Sequence, residues 1–168
     1  MAMRPQKLPI ERIENAETAN AFLFGLIFNQ NQRAEQAWRA PYKLKERLGT
    51  LDPKKISSLS VGYIVAIISQ KPALHPFAFR MAKSIHAACG LLSEKYTSDA
   101  RNIWEDGKTT REVLKNLKAF HGIGEHKASV GVFLLKNELD VIIPEDGIKL
   151  NMRTMCRSLY ELYGEGRS

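Results

Sequence analysis

The sequence predicts an all-α protein, and three observations support this class. Apolar residues recur every three or four positions through most of the chain, which is the spacing of one helical face. Helix-capping residues precede several of these runs, and glycines or prolines follow them. No convincing alternating run of a β-strand is present. The segment VIIP at 141–144 is bounded too tightly for a paired strand, so we expect an extended loop there.

The expected helices follow from their start signals. Asn15 precedes the first helix, which covers AETANAFLFGLIFNQ. Asp52 and Pro53 suit the N-cap and first turn of a short helix. Thr109 and Glu112 have the spacing of a capping box. Between them, FAFRMAKSIHAACGLLSEKY predicts a long helix whose core face consists of Phe77, Met81, Ile85, Ala88, Cys89 and Leu92.

The segment EVLKNLKAFHGIGEHKASVGV predicts two helices joined by a very short turn. Gly122 and Gly124 allow a tight turn and the close approach of a ligand, while Ile123 fills the gap between the helices. The amides of Ile123, Gly124 and Glu125 then face outward, where an anion such as a nucleic-acid phosphate would satisfy them. Lys127 adds a positive charge one turn into the second helix. The alternative is an ordinary helix corner in which the glycines only cap a helix.

Farther along the chain, alternating spacings of four and three predict a helix that begins near Asp146. Its apolar face would contain Ile148, Met152, Met155, Leu159 and Leu162. Asp146 is the expected N-cap, where the helix dipole and free amides favour the ionised carboxylate. We therefore expect a lowered pKa for Asp146.

Three of these segments resemble parts of the helix-hairpin-helix (HhH-GPD) DNA glycosylases of base excision repair. HGIGEHKA is similar to their hairpin, VIIPED to the apolar lead-in to their catalytic aspartate, and LFGLIFNQNQRAEQAW to an early buried helix that ends in glutamine. The resemblance covers roughly residues 18–160. It implies a single two-lobed helical domain, with a bundle over 20–135 that ends in the hairpin at 112–135. Residues 1–19 and 136–168 would form the small second lobe.

The resemblance implies an enzyme that flips a damaged base out of duplex DNA and hydrolyses its N-glycosidic bond. Asp146 would stabilise the positive charge that develops on the sugar, with Glu145 and then Asp140 as alternatives. Gln30 or Gln32 stands where the family inserts a polar side chain into the space left by the base. Plain solvated glutamines at a helix end are the alternative.

Two departures from the endonuclease III branch affect the chemistry. His126 stands where that branch has its nucleophilic lysine, and imidazole does not form the same imine. Lys127 is adjacent, but one helical residue rotates a side chain by about 100°. We therefore expect a monofunctional enzyme, most similar to the alkylated-base glycosylases, with lyase activity through Lys127 as the alternative. Only two cysteines, Cys89 and Cys156, are present, so we expect no iron–sulfur cluster. The histidines are scattered without a metal-ligand pattern, so we expect no metal, and we expect no cofactor.

A pocket for the flipped base is the least constrained part of the prediction. Aromatic rings stack on electron-poor bases, although each is individually more typical of a core. The candidates are His126, Trp38, Tyr42 and Phe28, followed by Phe24 and Trp104.

Composition agrees with these expectations. A chain of 168 residues with 44% apolar residues suits one domain, and a net charge of +7 favours a polyanionic partner such as double-stranded DNA with a damaged base. No stretch reaches the roughly 18 apolar residues of a membrane span, and no signal peptide is visible. We expect a monomer in the cytoplasm, on the nucleoid in a prokaryote. The rivals are a non-catalytic DNA-binding hairpin module and a helical protein-interaction domain.

Overall fold

The computed structural model describes residues 9–150, and this part of the chain is helical with no strand. The all-α prediction is therefore confirmed, and 141–144 is an extended loop as expected. The helices are α1 (Ala16–Phe28), α2 (Ala34–Leu48), α3 (Pro53–Ser57), α4 (Val61–Ser69), α5 (Ala78–Lys95), α6 (Thr110–Lys118) and α7 (Glu125–Asn137), with a 3-10 turn at Ala100–Ile103.

The helix α1 forms the centre of the core. Its residues from Ala19 to Phe28 are all buried, and α2, α5, α7 and the 3-10 turn surround it. A helix that is apolar on every side needs such neighbours all around it. Gly25 allows α2 to pack closely on α1, since a Cβ atom there would lie 2.3 Å from Trp38. The Trp38 ring also stacks on Phe22, with ring centroids 5.4 Å apart.

Local capping signals predict the helix starts correctly. Asn15 accepts a hydrogen bond from the amide of Thr18, and Asp52 accepts one from the amide of Lys54. Thr109 and Glu112 form the reciprocal capping box at the start of α6. Side-chain oxygens thus satisfy amides that the first helical turn leaves unpaired.

The prediction that Phe77 lies on the core face of the long helix is wrong. The helix α5 begins one residue later, and Phe77 has the non-helical backbone angles φ −111° and ψ 69°. The amide of Phe77 donates to the imidazole of His75, and this hydrogen bond ends the preceding loop. The Phe77 side chain is 45% exposed. The rest of the predicted face is buried: Met81, Ile85, Ala88, Cys89 and Leu92.

The prediction that a helix begins at Asp146 is also wrong, because 146–150 is not helical. Gly147 has φ +82°, which is incompatible with the first position of a right-handed helix. The segment instead packs along the start of α6, where the amide of Thr110 donates to the carbonyl of Pro144 at 2.9 Å. Most of the predicted apolar face, from Met152 to Leu162, lies outside the described residues.

Other predictions also fall partly outside residues 9–150. The division into two lobes depends on both chain ends and stays a prediction, and Cys156 is not described. Within the described range Cys89 is a buried free thiol, and burial raises its pKa. None of the helices described over these residues is both long and apolar enough to cross a membrane.

Candidate functional site

The turn between α6 and α7 is held in a conformation that requires glycine at one position. Gly122 has φ +89°, and a Cβ atom there would lie 2.8 Å from the hydroxyl oxygen of Ser84. The amide of Ile123 donates to the carbonyl of Phe120 at 3.1 Å, and the Ile123 side chain is 4% exposed. Ile123 therefore fills the space between the helices, as its position predicts.

A hydrogen bond that the sequence analysis missed fixes this hairpin to α5. The hydroxyl of buried Ser84 lies 2.9 Å from Nδ1 of His121, the residue before Gly122. The two residues are 37 positions apart, so no local pattern indicates the contact. It sets the orientation of the hairpin against the core.

The N-terminus of α7 is open, because its N-cap offers no side chain. Gly124 is this N-cap and provides no side-chain hydrogen bond. The helices α2 and α5 also lack a side-chain cap, whereas α1, α3, α4 and α6 each have one. Gly124 and Glu125 are exposed. The N-cap of α7 thus supplies no acceptor side chain, and an anion at this position would meet the favourable end of the helix dipole.

Lys127, in the first turn of the same helix, directs its amine inward. Nζ donates to the carbonyl of Ile27 at 2.9 Å and lies 3.3 Å from Oε1 of Gln30. Desolvation by burial lowers the pKa of Lys127 to about 8. A fraction of the side chain is therefore an unprotonated amine at neutral pH, which is the form that acts as a nucleophile. The phosphate contact predicted for Lys127 stays a prediction.

His75 holds the other side of Gln30. The imidazole is 2% exposed, its Nε2 lies 2.6 Å from the carbonyl oxygen of Gln30, and Nδ1 accepts from the amide of Phe77 at 2.9 Å. We call Lys127, Gln30, His75 and His126 the Lys127 cluster. Gln32 has a different role, because its amide nitrogen donates to the carbonyl of Phe28 and closes the end of α1.

Both histidines of the cluster favour the neutral form. Desolvation is the main cause of the lowered pKa of His75, with the charge of Lys127 acting in the same direction and the Gln30 carbonyl opposing it. Desolvation and then the charge of Lys127 lower the pKa of His126. The cluster is thus a desolvated corner in which positive charge is disfavoured.

Asp146 lies away from this corner. Its Oδ2 accepts from the amide of Arg111 at 3.0 Å in the first turn of α6, whereas Lys127 lies in the first turn of α7. The nine residues of α6 alone extend about 13 Å. The structure therefore places the two residues toward opposite ends of the hairpin.

The lowered pKa expected for Asp146 is confirmed, but α6 causes it. Desolvation raises the pKa, and hydrogen bonds from the amide of Arg111, from Thr109 and from the amide of Ile148 outweigh it. The other oxygen, Oδ1, is buried without a hydrogen-bond partner among residues 9–150. Glu145 is an exposed partner of Lys136 at 3.1 Å, and Asp140 occupies a turn with φ 55°.

Of the predicted pocket aromatics, Phe28 lies beside the Lys127 cluster, with its ring centroid 6.3 Å from that of His75. Trp38, Phe28, Phe24 and Trp104 are core residues with at most 2% exposure. Tyr42 is half-buried and lines a separate cavity of about 410 Å³ with Arg39 and Lys43. Burial, and then the charge of Glu11, raises the pKa of Tyr42 to about 12. An exposed aromatic ring that does lie beside the Lys127 cluster is that of Phe77, whose centroid is 5.9 Å from that of His75, and which the sequence analysis expected in the core.

No protein-family model matches this sequence, and no curated protein matches it. Within residues 9–150, His, Cys, Asp and Glu side chains do not group in a way that could hold a metal ion. The function is therefore inferred from the geometry of the hairpin and the Lys127 cluster.

Proposed function

We propose that this protein is a DNA N-glycosylase of base excision repair, built on the two-lobed helix-hairpin-helix plan and acting on double-stranded DNA with a damaged base. The proposal rests on the N-terminus of α7 and the amine of Lys127, which lie within one helical turn of each other. The open N-terminus of α7 begins at Gly124, and the desolvated amine of Lys127 follows three residues later beside Gln30.

The open helix end accounts for duplex binding. A backbone phosphate accepts hydrogen bonds from the amides after Gly124, and the net charge of +7 attracts the polyanion over longer distances. Gln30 follows buried α1 and lies at the edge of the same corner, where its side chain fills the space left by a flipped base.

Two groups are candidates for breaking the N-glycosidic bond. The amine of Lys127 attacks C1′ of the sugar as the glycosidic bond breaks, and the departing base takes up one of the two amine protons. The bond from C1′ to the ring oxygen then breaks, the ring oxygen takes up the second amine proton, and an imine remains between Lys127 and C1′. Alternatively, Asp146 stabilises the positive sugar and water completes a monofunctional reaction. The geometry favours Lys127, because its lowered pKa supplies free amine beside Gln30 while Asp146 is engaged at the start of α6.

Single-turnover base release tests the proposal directly. Duplexes with alkylated, oxidised or deaminated bases are incubated with the native protein, Lys127→Gln and Asp146→Asn, and strand cleavage is measured with and without alkali. Lys54→Gln is the matched control, since it removes one exposed lysine charge on α3. Cleavage without alkali, together with a borohydride-trapped adduct lost only in Lys127→Gln, supports the Lys127 mechanism.

The other outcomes are equally distinct. Cleavage only after alkali, abolished in Asp146→Asn, assigns a monofunctional enzyme that uses Asp146. Tight duplex binding with no base release from any lesion contradicts the enzyme and leaves a non-catalytic hairpin module. Absence of salt-sensitive duplex binding contradicts the nucleic-acid proposal altogether.

The phosphate contact has its own test at Gly124. Asparagine and aspartate at an N-cap both accept from helix amides, but only aspartate adds a negative charge. We expect Gly124→Asn to weaken duplex binding modestly and Gly124→Asp to weaken it much more, with both variants as stable as the native protein. A Cβ atom at this position meets nothing within 4 Å, so packing does not obscure the result. Equal duplex affinity in all three proteins contradicts the proposed contact.

A further inference from the structure

His75 links three segments that are distant in sequence. It belongs to the loop before α5, it contacts the turn after α1, and the charge of Lys127 on α7 acts on its ring. We call residues 29–33 the Gln30 turn. A histidine that is 2% exposed in a loop occupies a costly position unless both ring nitrogens have partners.

The two hydrogen bonds of His75 determine its tautomer. The amide of Phe77 can only donate, so Nδ1 accepts and carries no proton. The ring proton is therefore on Nε2, which donates to the carbonyl of Gln30 at 2.6 Å. A doubly protonated ring would direct an N–H against the amide of Phe77 and lose that contact.

Gln30 is held from both sides as a result. Its carbonyl accepts from His75 and its side chain lies beside the amine of Lys127, while its amide donates to the carbonyl of Phe28 at 2.7 Å. The position of the Gln30 side chain relative to Lys127 thus depends on a residue that contacts neither the amine nor the open end of α7.

We propose that His75, in its neutral Nε2–H form, is a positioning residue that holds the Gln30 turn against the amine of Lys127 for base release. This inference rests on the proposed glycosylase function and adds to it a residue that the sequence analysis did not name. The charged groups that act on His75 are Lys127 from α7 and Arg80 from α5, and both oppose protonation of the ring.

Three substitutions separate the two hydrogen bonds of His75. Glutamine retains a donor near the position of Nε2, asparagine retains an acceptor near the position of Nδ1, and leucine retains only bulk. We expect His75→Leu and His75→Asn to lower the single-turnover rate by about tenfold to a hundredfold, because small displacements of catalytic groups cost this much. His75→Gln should recover most of the rate, and duplex affinity should change little in all three.

The matched control is His86→Leu. His86 on α5 also contacts a single backbone carbonyl, that of Ser57 at 3.1 Å, but this contact lies at α3 and not at the hairpin. The His86→Leu substitution should leave the rate of base release unchanged. Circular dichroism and thermal unfolding establish that each variant is folded before its rate is compared.

The pH profile provides a readout that a purely structural role would not change. Native base release should fall below about pH 8 as Lys127 gains a proton, and it should fall more steeply at acidic pH as His75 also gains one. The steeper part should be absent from His75→Gln, whereas the fall caused by Lys127 should remain. The proposal is overturned if His75→Leu retains the native rate, if His75→Gln is as slow as His75→Leu, or if the steeper acidic fall persists in His75→Gln.

Nitrogen NMR of the imidazole distinguishes failure of this inference from failure of the proposed function. A protonated Nε2 and an unprotonated Nδ1 are expected in the native protein. Observing this tautomer in a protein that releases no base contradicts the glycosylase proposal but retains the positioning geometry. The opposite tautomer contradicts the role of His75 whatever the activity.

Discussion

Replacing Lys127 with methionine should abolish a rise in stability between neutral and alkaline pH. In the native protein desolvation lowers the pKa of Lys127 from 10.5 to about 8. The unfolded chain therefore binds more protons than the folded chain between these values, and stability increases with pH across that window. Methionine has a similar length and no proton to lose, so its variant lacks this contribution.

The magnitude follows from the two pKa values. The difference between 10.5 and about 8, at about 1.4 kcal/mol for each factor of ten in the proton equilibrium, gives about 3 kcal/mol. This is an upper value because the side chain is only partly buried, and we expect about 1–2 kcal/mol between pH 7 and pH 10. The same pKa implies that about a quarter of Lys127 is free amine at pH 7.5, against about 0.1% for an ordinary lysine.

Urea unfolding of both proteins at several pH values between 6 and 10.5 measures this contribution. The difference between the two free energies of unfolding isolates Lys127, because all other titrating groups are shared. The lost hydrogen bond to Ile27 shifts that difference by a constant, so its pH dependence is the relevant quantity. A difference that does not vary with pH, or NMR titration of Lys127 above pH 10, would refute the argument from desolvation.

Four further substitutions test the packing of the helices. Gly122→Ala should destabilise the protein by about 2 kcal/mol or more, because φ is +89° and Ser84 is too close, whereas Gly124→Ala, at φ −90° with open space, should be nearly neutral in urea unfolding. Asn20→Leu should lower the free energy of unfolding by about 2–4 kcal/mol, since the carbonyl of Ser98 and the amide of Ala100 both lose their hydrogen-bond partner. A loss below about 1 kcal/mol would contradict the importance of these two hydrogen bonds. Arg47→Met should accelerate amide hydrogen exchange over 66–74, because the carbonyls of Ile67, Gln70 and Pro72 lose the guanidinium that donates to all three. Unchanged exchange over these residues would show that the Arg47 hydrogen bonds do not stabilise this segment.

Local chemistry explains why much of the fold was predictable. The caps at Asn15, Asp52 and Thr109 depend only on the next few residues, so the sequence carries the whole signal. The hairpin was predictable for the same reason, since a left-handed glycine and a buried isoleucine are sufficient to specify the turn.

The errors arise where tertiary contacts override local periodicity. Asp146 has the pattern of an N-cap, but the helix it caps is α6, which ends 28 residues before it in sequence. Phe77 has the spacing of a core residue, but the bond between its amide and His75 ends the loop there. The Lys127 cluster joins residues that are 97 and 45 positions apart, and no spacing rule predicts such contacts.

The end of α1 connects the fold to the proposed chemistry. Its last carbonyls require donors, and Gln32 serves Phe28 while the amine of Lys127 serves Ile27. A cation beside these carbonyls would be favoured by the helix dipole, yet burial lowers the pKa of Lys127 and desolvation therefore dominates. Lys127 thus completes α1 through one contact, while burial of the same side chain supplies free amine at neutral pH. If the proposed reaction uses this amine, one side chain serves both helix termination and catalysis, so a substitution at Lys127 has to be assessed for stability and for base release together.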